Sequence, residues 1–304
     1  MAKFKKGLVF LTSLGVAATL SACNDNNDTS EEKSEHKTES KSEKKTSESN
    51  ESKAAADSKK EEDSKTDGVS DLSEKKRLAL AFFADDIDQY ILTKDEALTG
   101  IFETSYGGKK EKKQLYKLLL IKTDNVANAP EGMNFYQVYP SKGSFASVIG
   151  VSEDKIFVGG TQGVVDYNEM KDTSNEYNVE DLYKENKSYS SLNELAEKIQ
   201  ITDKNPMEDD KTREEFEANE NPSTNTHMRT QVYSMIEKLD GQPIDTDKYL
   251  VDNVQTTDEG KWYVHYRNKN AEIVGTYTTK NGKVIKKDAE GNIIKEKKIN
   301  PNEE

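Results

Sequence analysis

The sequence predicts an α+β protein in which a disordered, charged tether precedes two small domains, each built from helix plus antiparallel sheet. Three observations lead to this fold class. Of the 304 residues, 33% are hydrophobic and 33% are charged, which is too polar for one uniformly packed globule. The polar excess is concentrated in residues 24–71, where large apolar side chains are almost absent. After residue 71 the chain passes twice from helical periodicity to a series of short strand-like segments.

Composition also excludes several classes of function. The formal net charge of −13 would repel phosphate backbones, so we expect no nucleic-acid partner. A single cysteine, Cys23, rules out an internal disulfide and every multi-cysteine metal site. The histidines His36, His227 and His265 are scattered along the sequence, and we therefore expect no bound metal and no cofactor.

The first 22 residues have the pattern of an export signal. Lys3, Lys5 and Lys6 form a basic start, and residues 7–20 carry no charge. This apolar run is shorter than the roughly 20 residues that a membrane-spanning helix needs. We therefore predict that residues 1–22 are a signal peptide that is removed.

The residues Leu20, Ser21, Ala22 and Cys23 resemble the lipobox of bacterial prolipoproteins. The resemblance implies cleavage after Ala22 and a thioether-linked diacylglycerol on Cys23, which becomes the mature N-terminus. The membrane would then be a partner through this lipid. The location implied is the extracytoplasmic face of the cell membrane, in a Gram-positive rather than a Gram-negative cell. Two alternatives are an ordinary secretory cleavage site beside an incidental cysteine, and an uncleaved anchor.

Residues 23–71 are predicted to be the lipidated cysteine and a disordered tether. Acidic and basic side chains are mixed there on a Ser-rich background, which is typical of a solvated linker. An isolated helix is the competing interpretation, because some acid and base pairs stand at helical spacing. The simplest role of the segment is a spacer, and a wall-polymer binding segment is the alternative.

Residues 72–201 form the first predicted domain. Apolar residues recur near helical spacing at its start and predict a helix from about residue 73 to 90. Aromatic and β-branched segments separated by Gly and Pro then predict an antiparallel meander. Two helices follow, VEDLYKEN and SSLNELAEKI, and Ser191 with Glu194 matches a capping box in the second.

The acidic residues 202–224 contain Pro206 and Pro222 and are predicted to be a linker, with a short exposed helix as the alternative. Residues 225–299 form the second predicted domain, and 300–304 a tail. This domain begins with an amphipathic helix that stops at an Asp-Gly pair. Three or four antiparallel strands separated by DEG, NKN, NG and AEG follow it.

The strand KWYVHYR carries the candidate ligand-binding residues. Alternation places one set of side chains against the preceding helix: Trp262, Val264 and Tyr266. The opposite face is predicted to be a polar and aromatic binding patch made of Tyr263, His265 and Arg267. The alternative is that these residues are there for their β propensity alone.

The order helix, strand, strand, strand in the last quarter of the chain resembles the PepSY and cystatin-like modules of exported bacterial proteins. The complete layout of lipobox, charged tether and small α+β modules is similar to that of uncharacterised surface lipoproteins of low-GC Gram-positive bacteria. These resemblances imply a location and no activity.

No catalytic motif is visible in the sequence. A nucleophile elbow of the G-x-S-x-G type is absent, and the lone cysteine is assigned to lipid. The sequence therefore predicts a non-catalytic binding or interaction module at the cell envelope, whose partner is a cell-wall polymer or an envelope protein. The alternatives are a cell-wall glycan or peptide hydrolase, and an envelope protease inhibitor or partner-docking protein.

Overall fold

The computed structural model describes residues 68–257 and 259–299. The predicted signal peptide, Cys23, the tether as far as residue 67 and the tail 300–304 lie outside the described residues. Within the described part, helices and antiparallel sheets are both present, which confirms the predicted α+β fold class.

The α-helices of the described residues follow in chain order: α1 (Glu74–Leu80), α2 (Lys94–Thr99), α3 (Tyr167–Lys171), α4 (Val179–Asn186), α5 (Ser190–Lys198), α6 (Asp210–Glu220) and α7 (Thr226–Asp240). The strands of the first region are β1 (Ile101–Tyr106), β2 (Lys109–Gln114), β3 (Leu118–Lys122), β4 (Val126–Ala127), β5 (Asn134–Tyr139), β6 (Ala146–Val151), β7 (Lys155–Thr161), β8 (Val165–Asp166), β9 (Asn175–Asn178) and β10 (Ile199–Thr202). Those of the second region are β11 (Leu250–Val251), β12 (Gln255–Thr256), β13 (Trp262–Arg267), β14 (Ile273–Lys280), β15 (Lys283–Asp288) and β16 (Ile293–Lys298).

The first sheet has six strands in the order β10-β3-β5-β6-β7-β9. Its neighbours are antiparallel except β10, which runs parallel to β3. Alternate residues of β3 are buried on opposite sides: Leu118 and Leu120 join the core under α1, α4 and α5, whereas Leu119 and Ile121 join Phe216 of α6. Both sides of the sheet are therefore covered, as the continuous apolar sequence of β3 indicates.

The first helix is shorter than predicted. Ser73 caps α1 by accepting a hydrogen bond from the Lys76 amide, but the α-helix ends at Leu80 and a 3₁₀ turn follows. The chain then reverses at Asp86, which has a φ of +57°. This turn lets Ile87 pack into the same core as the helix. The helix therefore ends at Leu80 because of tertiary burial, although the apolar spacing of the sequence continues to about residue 90.

The second sheet has the order β11-β13-β14-β15-β16, with β12 also paired to β13. Helix α7 packs on it through Val232 and Ile236, which join Trp262 and Val264 in one core. The helix ends at Gly241, whose φ of +83° needs the freedom of glycine. The amphipathic helix and the antiparallel strands predicted for this region are confirmed.

The acidic segment predicted as a linker contains α6. Asp209 caps this helix by accepting from the Thr212 amide at 2.8 Å, and Phe216 is buried against the first sheet. The described residues on both sides of this segment belong to one compact unit. The predicted domains 72–201 and 225–299 thus pack together within that unit.

Arg267 joins the two regions. Its side chain is fully buried, and its Nε and Nη2 donate to Asp252 at 2.6 and 2.8 Å. Its Nη1 and Nη2 donate to Glu194 of α5 at 2.7 and 2.8 Å, and Nη1 also donates to the Ala271 carbonyl at 2.9 Å. All five N–H groups of the guanidinium are therefore used.

The capping box predicted at Ser191 and Glu194 is wrong. Helix α5 begins at Ser190, two residues before the start that a Ser191 cap would give, and its N-cap residue Tyr189 makes no side-chain cap. The Ser191 hydroxyl donates instead to the Asn270 carbonyl at 2.8 Å, and Glu194 pairs with Arg267. Both side chains therefore bind residues of the second region. A short sequence motif cannot indicate such partners, because they are distant in the sequence.

Removing Arg267 is expected to be strongly destabilising. In Arg267→Met, Asp252 is left buried without its partner, and loss of one member of a buried ion pair costs about 3–5 kcal/mol. Urea denaturation should show this loss, while Lys283→Met, which breaks an exposed pair with Glu296, should change the unfolding free energy by less than about 1 kcal/mol. Equal effects of the two substitutions would contradict the role given to Arg267.

Candidate functional site

The residues predicted as a ligand-binding face line a cavity between the two regions. Tyr263, His265 and Arg267 all border this junction cavity, which has a volume of about 310 Å³. Tyr263 and His265 are half-buried, with ring centroids 5.1 Å apart. Arg267 is fully buried there, because Asp252 and Glu194 accept hydrogen bonds from its guanidinium, so this member of the predicted patch is not free to bind a ligand.

Three of the polar side chains that line the junction cavity already have partners. Arg267 is saturated, and His265 Nδ1 lies 2.8 Å from the Thr276 hydroxyl. Lys198 Nζ donates to the Leu98 carbonyl at 2.7 Å. Burial lowers the pKa of both His265 and Lys198, which favours their neutral forms. This cavity is better explained as part of the packing between the regions than as a ligand site.

A larger cleft, of about 690 Å³, lies in the first region. We call it the Glu220 cleft. Its aromatic lining is Phe102, Tyr106, Tyr139 and Phe145; its amide and hydroxyl lining is Thr104, Asn125, Gln137, Ser141, Ser144, Thr161 and Gln162; its charged lining is Lys113 and Glu220. The volume is within the range of about 300–1,000 Å³ that is usual for ligand pockets.

The β1–β2 hairpin forms one wall of the cleft. Phe102, Thr104 and Tyr106 alternate along β1 and therefore face the cleft together. Lys113 of β2 is directly opposite Phe102 in the ladder, so it shares that face. The turn between the strands is Gly107-Gly108, with φ values of +56° and +76° that only glycine adopts readily.

Helix α6 brings Glu220 to the cleft. Phe216 lies one turn earlier on the same helix face, and its ring packs edge-on against Tyr116 and Tyr139 at centroid distances of 5.0 and 5.4 Å. The next residue, Asn221, accepts a hydrogen bond at its carbonyl from the Gln114 side chain at 2.8 Å. These contacts hold the last turn of the helix against the hairpin, so Glu220 is directed inward.

The carboxyl group of Glu220 is buried and incompletely paired. The residue is 3% exposed, its Oε2 lies 3.9 Å from Lys113 Nζ, and its Oε1 has no hydrogen-bond partner within the part of the chain that the structure describes. Burial raises the pKa of Glu220 to about 7, against the lowering effects of Lys113 and Tyr139. At neutral pH the carboxyl group of Glu220 is therefore protonated for part of the time, and while protonated it can donate a hydrogen bond.

The loop from Pro140 to Phe145 forms the opposite wall. Lys142 holds it through an ion pair with Glu96 at 2.6 Å, and the Lys142 carbonyl accepts from the Ser105 amide at 2.9 Å. The ring of Phe145 lies against Gly160, where an added Cβ would come within 2.6 Å of it. Gly160 therefore leaves the space that the ring occupies, and a side chain at this position would displace the ring.

Two further cavities share lining residues with the cleft around Phe145. One, of about 510 Å³, shares Thr104, Gly143, Ser144 and Phe145 with the Glu220 cleft. The other, of about 400 Å³, shares Phe145, Thr161 and Gln162 with it. We call the three together the Phe145 groove, because Phe145 lines each of them.

The sequence predictions did not include this site. The spacing of Phe216 and Glu220 could have indicated it. Phe216 is the only aromatic residue in the acidic segment 208–221, so it is the residue expected to be buried, and Glu220 lies one helical turn later on the same face. His227, the other described histidine, is exposed on α7. Across residues 68–257 and 259–299, no three His, Cys, Asp or Glu side chains are grouped so that they could hold a metal ion.

No helix in the described ranges is both long enough and apolar enough to span a membrane. Comparison with protein families, with curated proteins and with solved structures finds no match to this chain.

The buried carboxyl group predicts a pH-dependent stability. Because the pKa of Glu220 is higher in the folded protein than its ordinary 4.5, the folded state binds this proton more tightly, and stability falls as the pH rises from 4.5 through about 7. Glu220→Gln cannot ionise, so its stability relative to wild type should increase by about 2–3 kcal/mol between about pH 5 and pH 9. Urea unfolding at the two pH values measures this difference.

Glu214→Gln is the matched control, because Glu214 is exposed on the same helix. A Glu220→Gln variant whose stability follows that of wild type and the control at both pH values would show that Glu220 is ionised throughout.

Proposed function

We propose that this chain is an extracytoplasmic lipoprotein, anchored to the cell membrane through Cys23, that binds a component of the cell envelope in the Phe145 groove without transforming it. The observation that carries the binding function is the Glu220 cleft, where aromatic rings, amides and hydroxyls line one cavity together with the incompletely paired carboxyl group of Glu220. Such a group is costly unless a ligand completes it.

Anchoring is supported by the sequence alone. The basic start, the uncharged run 7–20 and the residues Leu20 to Cys23 together have the pattern of a lipoprotein signal. One acyl chain gives only marginal membrane binding, at about 0.8 kcal/mol per buried CH₂, whereas two chains on one residue anchor stably. A diacylglycerol on Cys23 would therefore suffice to hold the protein at the membrane.

Binding is favoured over hydrolysis by the charged lining of the cleft. Glycoside hydrolysis ordinarily uses two carboxyl groups on opposite sides of the scissile bond. Glu220 is the carboxyl residue among those that line the Glu220 cleft, and its charged neighbour there is Lys113. The elevated pKa of Glu220 is what a general acid needs, so glycan hydrolysis is the second candidate function.

Lipidation is tested by mass spectrometry of protein extracted from membranes. The expected N-terminus is Cys23 carrying a diacylglycerol, and Cys23→Ser should move most of the protein from the membrane fraction to the medium or leave it uncleaved. An unmodified cysteine within an intact N-terminus would contradict the proposal.

Wall binding without cleavage is tested by incubating the purified full chain, in mild detergent, with insoluble cell-wall material. We expect wild type to sediment with the wall and to release no soluble fragments, since binding alone is proposed. Phe145→Ala should sediment at least several-fold less, while Ile294→Ala removes an exposed apolar side chain outside the groove and should behave as wild type. Release of fragments would favour the hydrolase, and no sedimentation of wild type would count against wall binding.

A further inference from the structure

The residues that line the Phe145 groove indicate the chemistry of its ligand. The residues that line it include aromatic rings together with amide and hydroxyl groups, which both donate and accept hydrogen bonds. A sugar ring has apolar C–H faces, which pack on aromatic rings, and hydroxyl groups around its edge, which donate and accept. The lining therefore matches both the apolar faces and the polar edge of a polyhydroxylated ligand.

Charge in the groove favours a neutral ligand. In the cavity next to the Glu220 cleft, Lys142 pairs with Glu96 at 2.6 Å and Lys110 pairs with Glu103 at 2.7 Å. In the cleft itself Lys113 faces Glu220. Lys142 and Lys110 are thus already paired with carboxylates, so a polyanion would find only Lys113 without a negative partner when Glu220 is protonated.

An extended peptide is disfavoured by the backbone around the groove. Peptides commonly bind by adding a strand to a free sheet edge. On its outer side β1 is already occupied, because the Ser105 amide donates to the Lys142 carbonyl at 2.9 Å and Ser105 forms a parallel bridge with Gly143. The edge that borders the groove is therefore closed by the loop that carries Phe145.

We infer that the Phe145 groove binds a neutral glycan chain, with a sugar ring packed on Phe145 and a sugar oxygen accepting a hydrogen bond from protonated Glu220. This inference rests on the proposed binding function and narrows its ligand to one chemical class. Phe145 lines all three cavities of the groove, so its ring is the contact that a sugar in any of them would share.

Protonated Glu220 gives the binding a defined pH dependence. The charged and titratable groups that face its carboxyl are Lys113 of β2, Tyr139 of β5 and Glu217 of its own helix. Burial raises the pKa of Tyr139, so its hydroxyl stays protonated near neutrality. With a Glu220 pKa of about 7, the binding-competent fraction falls about thirty-fold between pH 5.5 and pH 8.5.

The test is calorimetric titration of the purified full chain in mild detergent with neutral hexasaccharides of N-acetylglucosamine, glucose, galactose or mannose. Polyphosphate and an uncharged ten-residue peptide are the other two probes. We expect saturable binding of at least one hexasaccharide and none of the other probes. Phe145→Ala should weaken that binding about tenfold or more, and Gly160→Ala should weaken it by displacing the same ring. Ile294→Ala should leave it unchanged.

The pH dependence of binding is tested with Glu220→Gln, in which a side-chain amide replaces the carboxyl group. Wild-type affinity should fall about thirty-fold from pH 5.5 to pH 8.5, whereas Glu220→Gln, which donates at every pH, should bind with nearly constant affinity. Glu214→Gln, at an exposed position of the same helix, should keep the wild-type dependence. A wild-type affinity that does not change with pH would overturn the role of protonated Glu220.

The outcomes separate the inference from the proposed function. If wall material retains the protein through Phe145 but no hexasaccharide binds, or only the peptide or polyphosphate binds, the glycan inference is overturned and the binding function stands. If neither wall material nor any probe binds, both are overturned. Circular dichroism and thermal unfolding of each variant verify that a loss of binding is not a loss of folding.

Discussion

The buried ion pairs of Arg267 are the constraint on which the rest of the structure depends. A fully buried guanidinium is tolerated only when every donor is satisfied, and Arg267 reaches this by bonding to Asp252 in one region and Glu194 in the other. Asn253, next to Asp252, donates from its side chain to Gln114 at 2.7 Å, and Gln114 donates in turn to the carbonyl that follows Glu220. The packing between the regions is thereby connected to the candidate site.

Arg267 and Glu220 are two buried charged residues with opposite consequences. Arg267 has five hydrogen bonds, so its burial stabilises one arrangement of the two regions and leaves nothing for a ligand. Glu220 has a lysine at 3.9 Å and one oxygen without a hydrogen-bond partner in the described chain, so its burial is unfavourable in isolation. Glu220 lines the Glu220 cleft, so its carboxyl group lies beside the proposed ligand.

The elements with strong local signals could be predicted from the sequence, and those decided by distant partners could not. Helix α7, its glycine stop and the turns of the second sheet follow from periodicity and turn chemistry. Helix α1 ends early because the following residues bury against a core that is assembled from remote strands. Ser191 and Glu194 resemble a capping box, yet their partners lie about 80 residues further along the chain, at Asn270 and Arg267.

The sequence by itself determined the α+β class, and it supplies the whole argument for export and lipid attachment at Cys23, because those depend on residue types in consecutive positions. It also singled out the strand of Tyr263, His265 and Arg267. Only the tertiary structure decided that Arg267 is buried, and that Glu220, in an acidic stretch predicted as a linker, faces a cleft with Phe145 and Tyr139. The physical reason is that solvation and pKa are set by neighbours in space, and residues 102, 145 and 220 become neighbours only when the hairpin, the loop and α6 pack together.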